Sequence, residues 1–209
     1  MPATATTLVL ARHGQTDWNE AGRLMGRSDA IGINARGRAQ AGALARLLAG
    51  RVPDLVLTSP RRRTRETAEA IAAPHGLPVV LEDALDEVWL GARWQGRTFA
   101  EIAADPDVAG WLADPTYRSD AIEAAADVQG RVVRVLERVR SVPAGSLVVA
   151  VSHGDPLRLL IAHVLGMAVG EYRRLDVPPG CASVLRVEAA GARVMALAWR
   201  PDPLAAALA

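Results

Sequence analysis

The sequence predicts an α/β fold: a three-layer α/β/α sandwich around a mostly parallel sheet. Short apolar, β-branched runs alternate with amphipathic helical stretches, and the early strands are separated by helix-length segments, as crossover connections require. Two later strands, Ser183–Glu188 and Arg193–Trp199, lie close enough around Gly191 to form a hairpin finishing the sheet. Taken in order, Thr7–Ala11 is a buried strand that stops at Arg12-His13-Gly14. Asn34 caps a helix to about Leu48, where Ala39, Ala43, Leu44, Leu47 and Leu48 recur at helical spacing and Gly50 offers a stop. Asp54–Thr58 is a second strand ending at Ser59-Pro60, and Arg62–Ala73 is a helix with a very basic first turn, closed by Pro74 and Gly76. Pro78–Leu81 is a third, short strand.

From Asp83 to about Tyr117 the chain carries three of its five tryptophans, with short helical patches such as Thr98–Ala104. This stretch is expected as a lid-like insertion, at about 83–120, within a single domain spanning 1–209. A long helix follows over Ile122–Val139, with Val128, Val132, Val135, Leu136 and Val139 on one face. Ser146–Val151 is the most apolar strand and ends at Ser152-His153-Gly154; Pro156–Leu165 is helical, and the Ala-rich end after Pro203 is a loosely held tail.

Composition narrows the function classes. In 209 residues, 24 basic groups nearly cancel 23 acidic ones, leaving a net charge of +1, so neither a nucleic-acid nor a membrane-surface partner is expected. Arginine supplies the basic residues, and its planar fork suits local phosphate or carboxylate sites. The single cysteine, Cys181, has no partner within the chain, and no Cys/His spacing suggests zinc. The N-terminal residues lack the basic and apolar regions of a signal peptide, so a cytoplasmic location is expected.

In open α/β sheets, ligands collect where strands end. Three strand exits carry Arg12-His13-Gly14, Ser59-Pro60-Arg61-Arg62-Arg63 and Ser152-His153-Gly154. If the strands are neighbours, two imidazoles converge among guanidinium groups, with room for a tetrahedral anion between the rings. Arginines stabilise charge on a phosphoryl group while a neutral imidazole attacks phosphorus. Gly14 and Gly154 are expected to let the anion approach backbone amides. A departing alkoxide needs a carboxylic acid with a raised pKa, for which Asp83, Asp86 and Glu87 are candidates.

The run Leu10-Ala11-Arg12-His13-Gly14-Gln15-Thr16-Asp17-Trp18-Asn19 resembles the signature of the histidine phosphatase superfamily, branch 1, the phosphoglycerate mutase-like proteins. Three further blocks agree in order: Ser59-Pro60 leading to Arg63 and Thr67-Ala68, Leu85-Asp86-Glu87 before Gly91 and Trp94, and Val151-Ser152-His153-Gly154-Asp155. The resemblance covers roughly Leu8–Leu165. It implies a phosphoglycerate mutase-like sandwich and a phosphomonoesterase of histidine acid phosphatase type, acting on a small phosphorylated metabolite through a phosphohistidine, with no metal and no cofactor. It makes His13 the nucleophile, with Arg12, Arg63 and His153 around the phosphoryl group, Asn19 giving a pocket hydrogen bond, Gly154 a backbone amide, and Glu87 the acid and later the base. The alternatives are a phosphoglycerate mutase, or a phosphate-binding protein that has lost the reaction. A mutase needs basic residues in the lid for a substrate carboxylate, and between Thr98 and Ile122 the chain offers only Arg118. The resemblance is incomplete at Ile122-Glu123-Ala124, where the family commonly has Gly-Glu-Ser, and at Arg61, where Leu is frequent.

Plainer roles suit other residues. Arg61, Arg62 and Arg65 form a solvated helix face with Glu66 and Glu69. His163 is a core histidine, His75 a loop residue and Cys181 a small buried hydrophobe. Trp18, Trp89, Trp94 and Trp111 pack the lid. A homodimer is possible through the terminal hairpin.

Overall fold

The computed structural model describes residues 5–200 of the chain. Strand β1 (Thr6–Arg12) is followed by the single turn α1 (Asp17–Glu20), then α2 (Ala35–Leu48), β2 (Leu55–Thr58), α3 (Arg62–Ala72) and β3 (Val79–Leu81). The lid segment holds α4 (Phe99–Ile102) and α5 (Pro106–Ala113); α6 (Ala125–Val132), α7 (Arg134–Arg140), β4 (Leu147–Ser152), α8 (Gly154–Val164), a 3-10 segment at Val169–Arg174, β5 (Ala182–Glu188) and β6 (Gly191–Trp199) complete the order. The expected tail after Pro203 lies outside the described residues. None of the described helices is long and apolar enough to cross a membrane.

The strands form one six-stranded sheet in the order β3-β2-β4-β1-β5-β6. The first four run parallel, and the terminal hairpin is antiparallel, with β5 pairing β1. Successive side chains of a strand point to opposite faces, so β1 serves two cores at once. Leu8 and Leu10 join Val128, Val135, Leu136, Leu157 and Leu160 beneath α6, α7 and α8. Val9 and Ala11 join Leu44, Leu48, Ala68 and Ile71 beneath α2 and α3. The sheet is the middle layer of three.

Several expected details shift. In α2 the buried stripe is Ala41, Leu44, Ala45 and Leu48, whereas Ala39 is exposed and Leu47 is 46% exposed. At 100° per residue Leu47 and Leu48 point to different sides, and an alanine-rich helix carries little sequence contrast to say which side faces inward. The long helix begins at Ala125 rather than Ile122 and is divided at Val133. Ile122 is instead held extended by a bridge to Leu90, and Glu123 N–H donates to Trp89 O at 3.1 Å. Its five valine and leucine positions are buried as expected. Helix α8 starts at Gly154, ahead of Pro156. His163 is exposed rather than in the core, because it falls on the outer face of the last turn of α8. Helix α5 was not expected, although Asp105-Pro106 is a capping signal: Asp105 accepts from Asp107 N–H and Pro106 opens the helix.

Candidate active site

Parallel pairing of β1 with β4 sets Arg12 opposite Ser152, so the two strands release His13 and His153 side by side. The exit is pinned by His13 N–H donating to Ser152 O at 3.0 Å, and by Ser59 N–H, just past β2, donating to Val151 O at 3.0 Å. The two imidazole rings lie 5.3 Å apart, centre to centre, and are inclined at 62°. Both residues are fully buried. The expectation of a gap wide enough for an anion between the ring faces is therefore corrected: the rings are in edge contact.

Hydrogen bonding assigns the tautomers. His13 Nδ1 lies 2.8 Å from Gly14 O, which only accepts, so the proton sits on Nδ1 and Nε2 is left bare. That Nε2 is buried without a partner. His153 Nε2 lies 2.8 Å from Ser59 Oγ. Asp86 Oδ1, at 3.2 Å from the same hydroxyl, also accepts from Arg61 Nε at 3.0 Å and Glu87 N–H at 2.9 Å. The Ser59 hydroxyl donates to Asp86 Oδ1, so His153 Nε2–H donates to the serine oxygen, and His153 Nδ1 is left buried without a partner. Burial, followed by the positive charge of Arg63, holds both imidazoles well below the usual histidine pKa, so both are neutral at pH 7.

Arg63 is fully buried and held by Nη1 to Ser28 O at 3.0 Å and Nη2 to Gly26 O at 2.8 Å, leaving Nε unpartnered. Burial lowers its pKa to about 10, so it stays charged. Arg12 donates from Nη1 to Val177 O at 2.7 Å and likewise keeps an unpartnered Nε. Among the described residues neither arginine makes an ion pair. Asn19 is the third residue of α1 and takes part in a capping box: its Oδ1 accepts from Thr16 N–H at 3.1 Å, which fixes the amide at the mouth of the site.

Gly14 works differently from the expectation. A Cβ on Gly14 would lie 2.4 Å from Gly37 O, and its N–H is taken by Thr67 Oγ1 at 3.1 Å, so Gly14 lets α2 approach the nucleophile loop rather than meeting an anion. A Cβ on Gly154 would lie 3.2 Å from Arg12 Cζ, so the missing side chain makes room for that guanidinium. Gly154 also opens α8, and it and Asp155 line the cavity.

Of the three candidate carboxyls, Glu87 is the one at the cavity. Its Oε1 accepts from Val88 N–H at 3.0 Å and its Oε2 lies 3.8 Å from His153 Nδ1. Burial first, then the charge of Asp155, raises its pKa to about 7. The loop beneath it is clamped: Arg131 Nη1 donates to Asp86 O at 2.5 Å, Arg131 Nη2 to Glu87 O at 2.9 Å, and Arg27 Nε to Glu87 O at 2.9 Å. Glu123 ties both arginines together, accepting from Arg27 Nη2 at 2.8 Å and pairing with Arg131 Nε at 3.3 Å. Asp86 takes a supporting place, pairing with Arg61 and Arg27, which removes Arg61 from the expected solvated face. Arg62 and Arg65 do lie outward, paired with Glu66 and Asp29.

A cavity of about 400 Å³ opens above these groups, with Arg12, Asn19, Glu87 and Gly154 on its wall. Sequence reasoning missed Arg23, Asp155, Arg158 and Arg173, which line it farther out. None stands at a strand exit among the quoted blocks except Asp155. It also missed the roles of Ser59 and Arg131; Ser59 was visible as the first residue after its strand. Of the tryptophans, Trp94 is fully buried, donating to Asp105 Oδ2 at 2.9 Å, and Trp111 lines the cavity.

The sequence and the fold are similar to those of known proteins. The family described as the histidine phosphatase superfamily (branch 1) matches residues 8–200. A bifunctional protein of Mycobacterium tuberculosis is 38% identical over 192 residues, covering 90% of this chain and 52% of the relative. The chain thus spans about half the length of that relative. Glucosyl-3-phosphoglycerate phosphatase of M. tuberculosis is 35% identical over 211 residues, covering 95% of this chain and 93% of the relative. The solved structure of a mycobacterial glucosyl-3-phosphoglycerate phosphatase complexed with VO3 has a TM-score of 0.79 at 32% identity, covering 92% of this chain and 98% of the other.

Proposed function

The chain belongs to branch 1 of the histidine phosphatase superfamily, and from that premise we propose that it hydrolyses the phosphate monoester of a small metabolite through a phosphohistidine on His13. The observation that carries the reading is the bare, buried Nε2 of His13, held in one tautomer by Gly14 O and flanked by two arginines without ion pairs. Similarity to glucosyl-3-phosphoglycerate phosphatase supports hydrolysis of a phosphorylated metabolite.

In the first half-reaction, Nε2 attacks phosphorus in line as the P–O bond to the alcohol breaks. Negative charge on the nonbridging oxygens is met by the guanidinium groups of Arg12 and Arg63, and it favours protonation of the neighbouring His153 Nδ1. Glu87, protonated near neutrality, gives its proton to the departing oxygen. Attack through Nε2 places a positive charge on the previously neutral ring, which the phosphoryl group's own negative charge offsets. In the second half-reaction Glu87, now ionised, removes a proton from a water that attacks the phosphohistidine and returns Nε2 to its bare state. The arginines supply the positive charge that a metal supplies elsewhere, so chelators should leave turnover unchanged.

The test is acid-sensitive trapping. Mass spectrometry of rapidly quenched enzyme should place one phosphoryl group on His13, and His13→Ala should lower kcat on an aryl phosphate by roughly four orders of magnitude or more, since the covalent route is lost. Wild-type turnover in His13→Ala would overturn the covalent route. Interconversion of 2- and 3-phosphoglycerate faster than phosphate release would instead make the protein a mutase.

A further inference from the structure

Among the arginines that line the cavity, Arg173 has no assigned work. Arg12 belongs to the phosphoryl site; Arg23 pairs with Glu101 at 3.6 Å, and Arg158 pairs with Asp155 at 3.0 Å. Arg118, the one basic residue between Thr98 and Ile122, is turned to Asp127 at 3.2 Å and does not line the cavity. Arg173 makes no ion pair among the described residues. Its guanidinium carbon instead lies 4.8 Å from the Trp111 ring centre and 4.7 Å from that of Tyr172. Nη2 donates to Trp111 O at 3.2 Å.

This is a fixed cation. Two aromatic rings and a carbonyl hold the planar group in place, and they leave its remaining N–H groups and its charge uncompensated. Around it the wall is apolar, with Phe99, Trp111, Leu112 and Ile122 facing the same space. Arg173 is half-buried beside these apolar walls, so its charge is less screened than in open water and acts more strongly on an anion that enters. Because its side chain is already immobilised, little rotamer entropy is lost on binding.

We infer that Arg173 is a specificity residue that receives a second anionic group, a carboxylate, on the alcohol part of the substrate. The inference rests on the phosphatase reading and narrows its substrate class to phosphorylated hydroxy acids, with the phosphoryl group at His13 and the carboxylate against the Arg173 fork. No arginine of the segment 83–120 lines the cavity, so the cation for an acidic substrate comes from the segment after α8, with Trp111 as the ring that holds it.

The experiment compares two esters that differ at one carbon, 3-phosphoglycerate and glycerol 1-phosphate, with para-nitrophenyl phosphate as a control for the phosphatase reading itself. In the wild type the kcat/KM ratio of the acidic to the neutral ester should be about 10- to 100-fold, the span of one charge-assisted contact. Arg173→Gln should collapse that ratio, mainly through KM, and Arg173→Lys should recover part of it. As a readout that needs no variant, raising the ionic strength should reduce the wild-type ratio. A wild-type ratio near one, a ratio unchanged in Arg173→Gln, or one indifferent to salt would overturn the inference while leaving phosphatase activity standing. Failure to release phosphate from all three esters would overturn the phosphatase reading first.

Discussion

At His13 the backbone decides which nitrogen reacts: Gly14 O takes the Nδ1 proton and the nucleophilic Nε2 is left without a partner. At Glu87 burial decides which charge state waits. A carboxyl with a pKa of about 7 is protonated in a large fraction of molecules at neutral pH, where an ordinary glutamate is ionised. In the free enzyme kcat/KM should therefore fall as pH rises through about 7, where the acid is lost. Glu87→Gln should lower kcat on alkyl phosphates by about 10²- to 10⁴-fold, with a smaller loss on aryl phosphates whose leaving groups need no proton. The same shift has a thermodynamic face. Because the folded pKa lies above the unfolded value, Glu87 favours folding at low pH, and this contribution is lost as pH rises from about 4.5 to about 7. The glutamine variant, which never ionises, should be more stable than the wild type above pH 7 by about 1–3 kcal/mol, readable in denaturant melts.

At the scale of elements, the nucleophile loop is placed by the close passage of two glycines. A Cβ on Gly37 would sit 2.2 Å from Gln15 O, and one on Gly14 would sit 2.4 Å from Gly37 O, so α2 and the loop after β1 touch backbone to backbone. Asn34 fixes the start of α2 by accepting from Gly37 N–H at 2.9 Å. Gly37→Ala, though remote in character from the chemistry, should push the helix and loop apart. The expected cost is about 1–3 kcal/mol, as for other overpacked sites, with a fall in kcat because His13 moves with Gly14. Thermal melts and steady-state rates on one preparation check both parts. A stable, fully active variant would show that the contact does not position the nucleophile. The Glu87 loop is held by the opposite device, side chains gripping backbone, with Arg131 and Arg27 reaching from distant segments to its carbonyls.

For the molecule as a whole, the site is a concentration of buried charge and buried neutral histidine between two apolar cores. His13 and His153 both have folded pKa values well below 6.5, so the unfolded chain binds more protons as pH falls past that value. Stability should drop on acidification below about pH 6.5; Glu87 pulls the other way between about 4.5 and 7, and two histidines outweigh one carboxyl. An oxyanion such as vanadate, which binds only the folded site, should raise the melting temperature. At a hundredfold excess over its Kd the gain is about 2.7 kcal/mol. Its effect should grow as pH falls, because an anion beside His153 offsets part of the depression that burial first, and then Arg63, impose on that imidazole. An unchanged melting curve with vanadate would show that the arginine cradle takes no oxyanion.

The strands, the mostly parallel sheet and the residues at the strand ends were legible in the sequence because strand composition, helix caps and the alternation of strand with helix are local or sequential properties. Arg12, His13, Ser59 and His153 announce themselves by standing where apolar runs stop, and Asn34 by preceding a periodic helix. Which face of the alanine-rich α2 is buried was not legible, nor was the extended run at Ile122-Glu123, because small apolar residues and a bridge to Leu90 are decided by what lies opposite. The work of Gly14 and Gly154, the clamp of Arg131 and Glu123, and the ring-held cation at Arg173 all join segments far apart in the chain. Sequence by itself determined the elements and the chemical inventory at the strand ends. Only the tertiary structure decided which proton each histidine keeps and which arginine is left with its charge unmet, since both depend on partners brought near by packing.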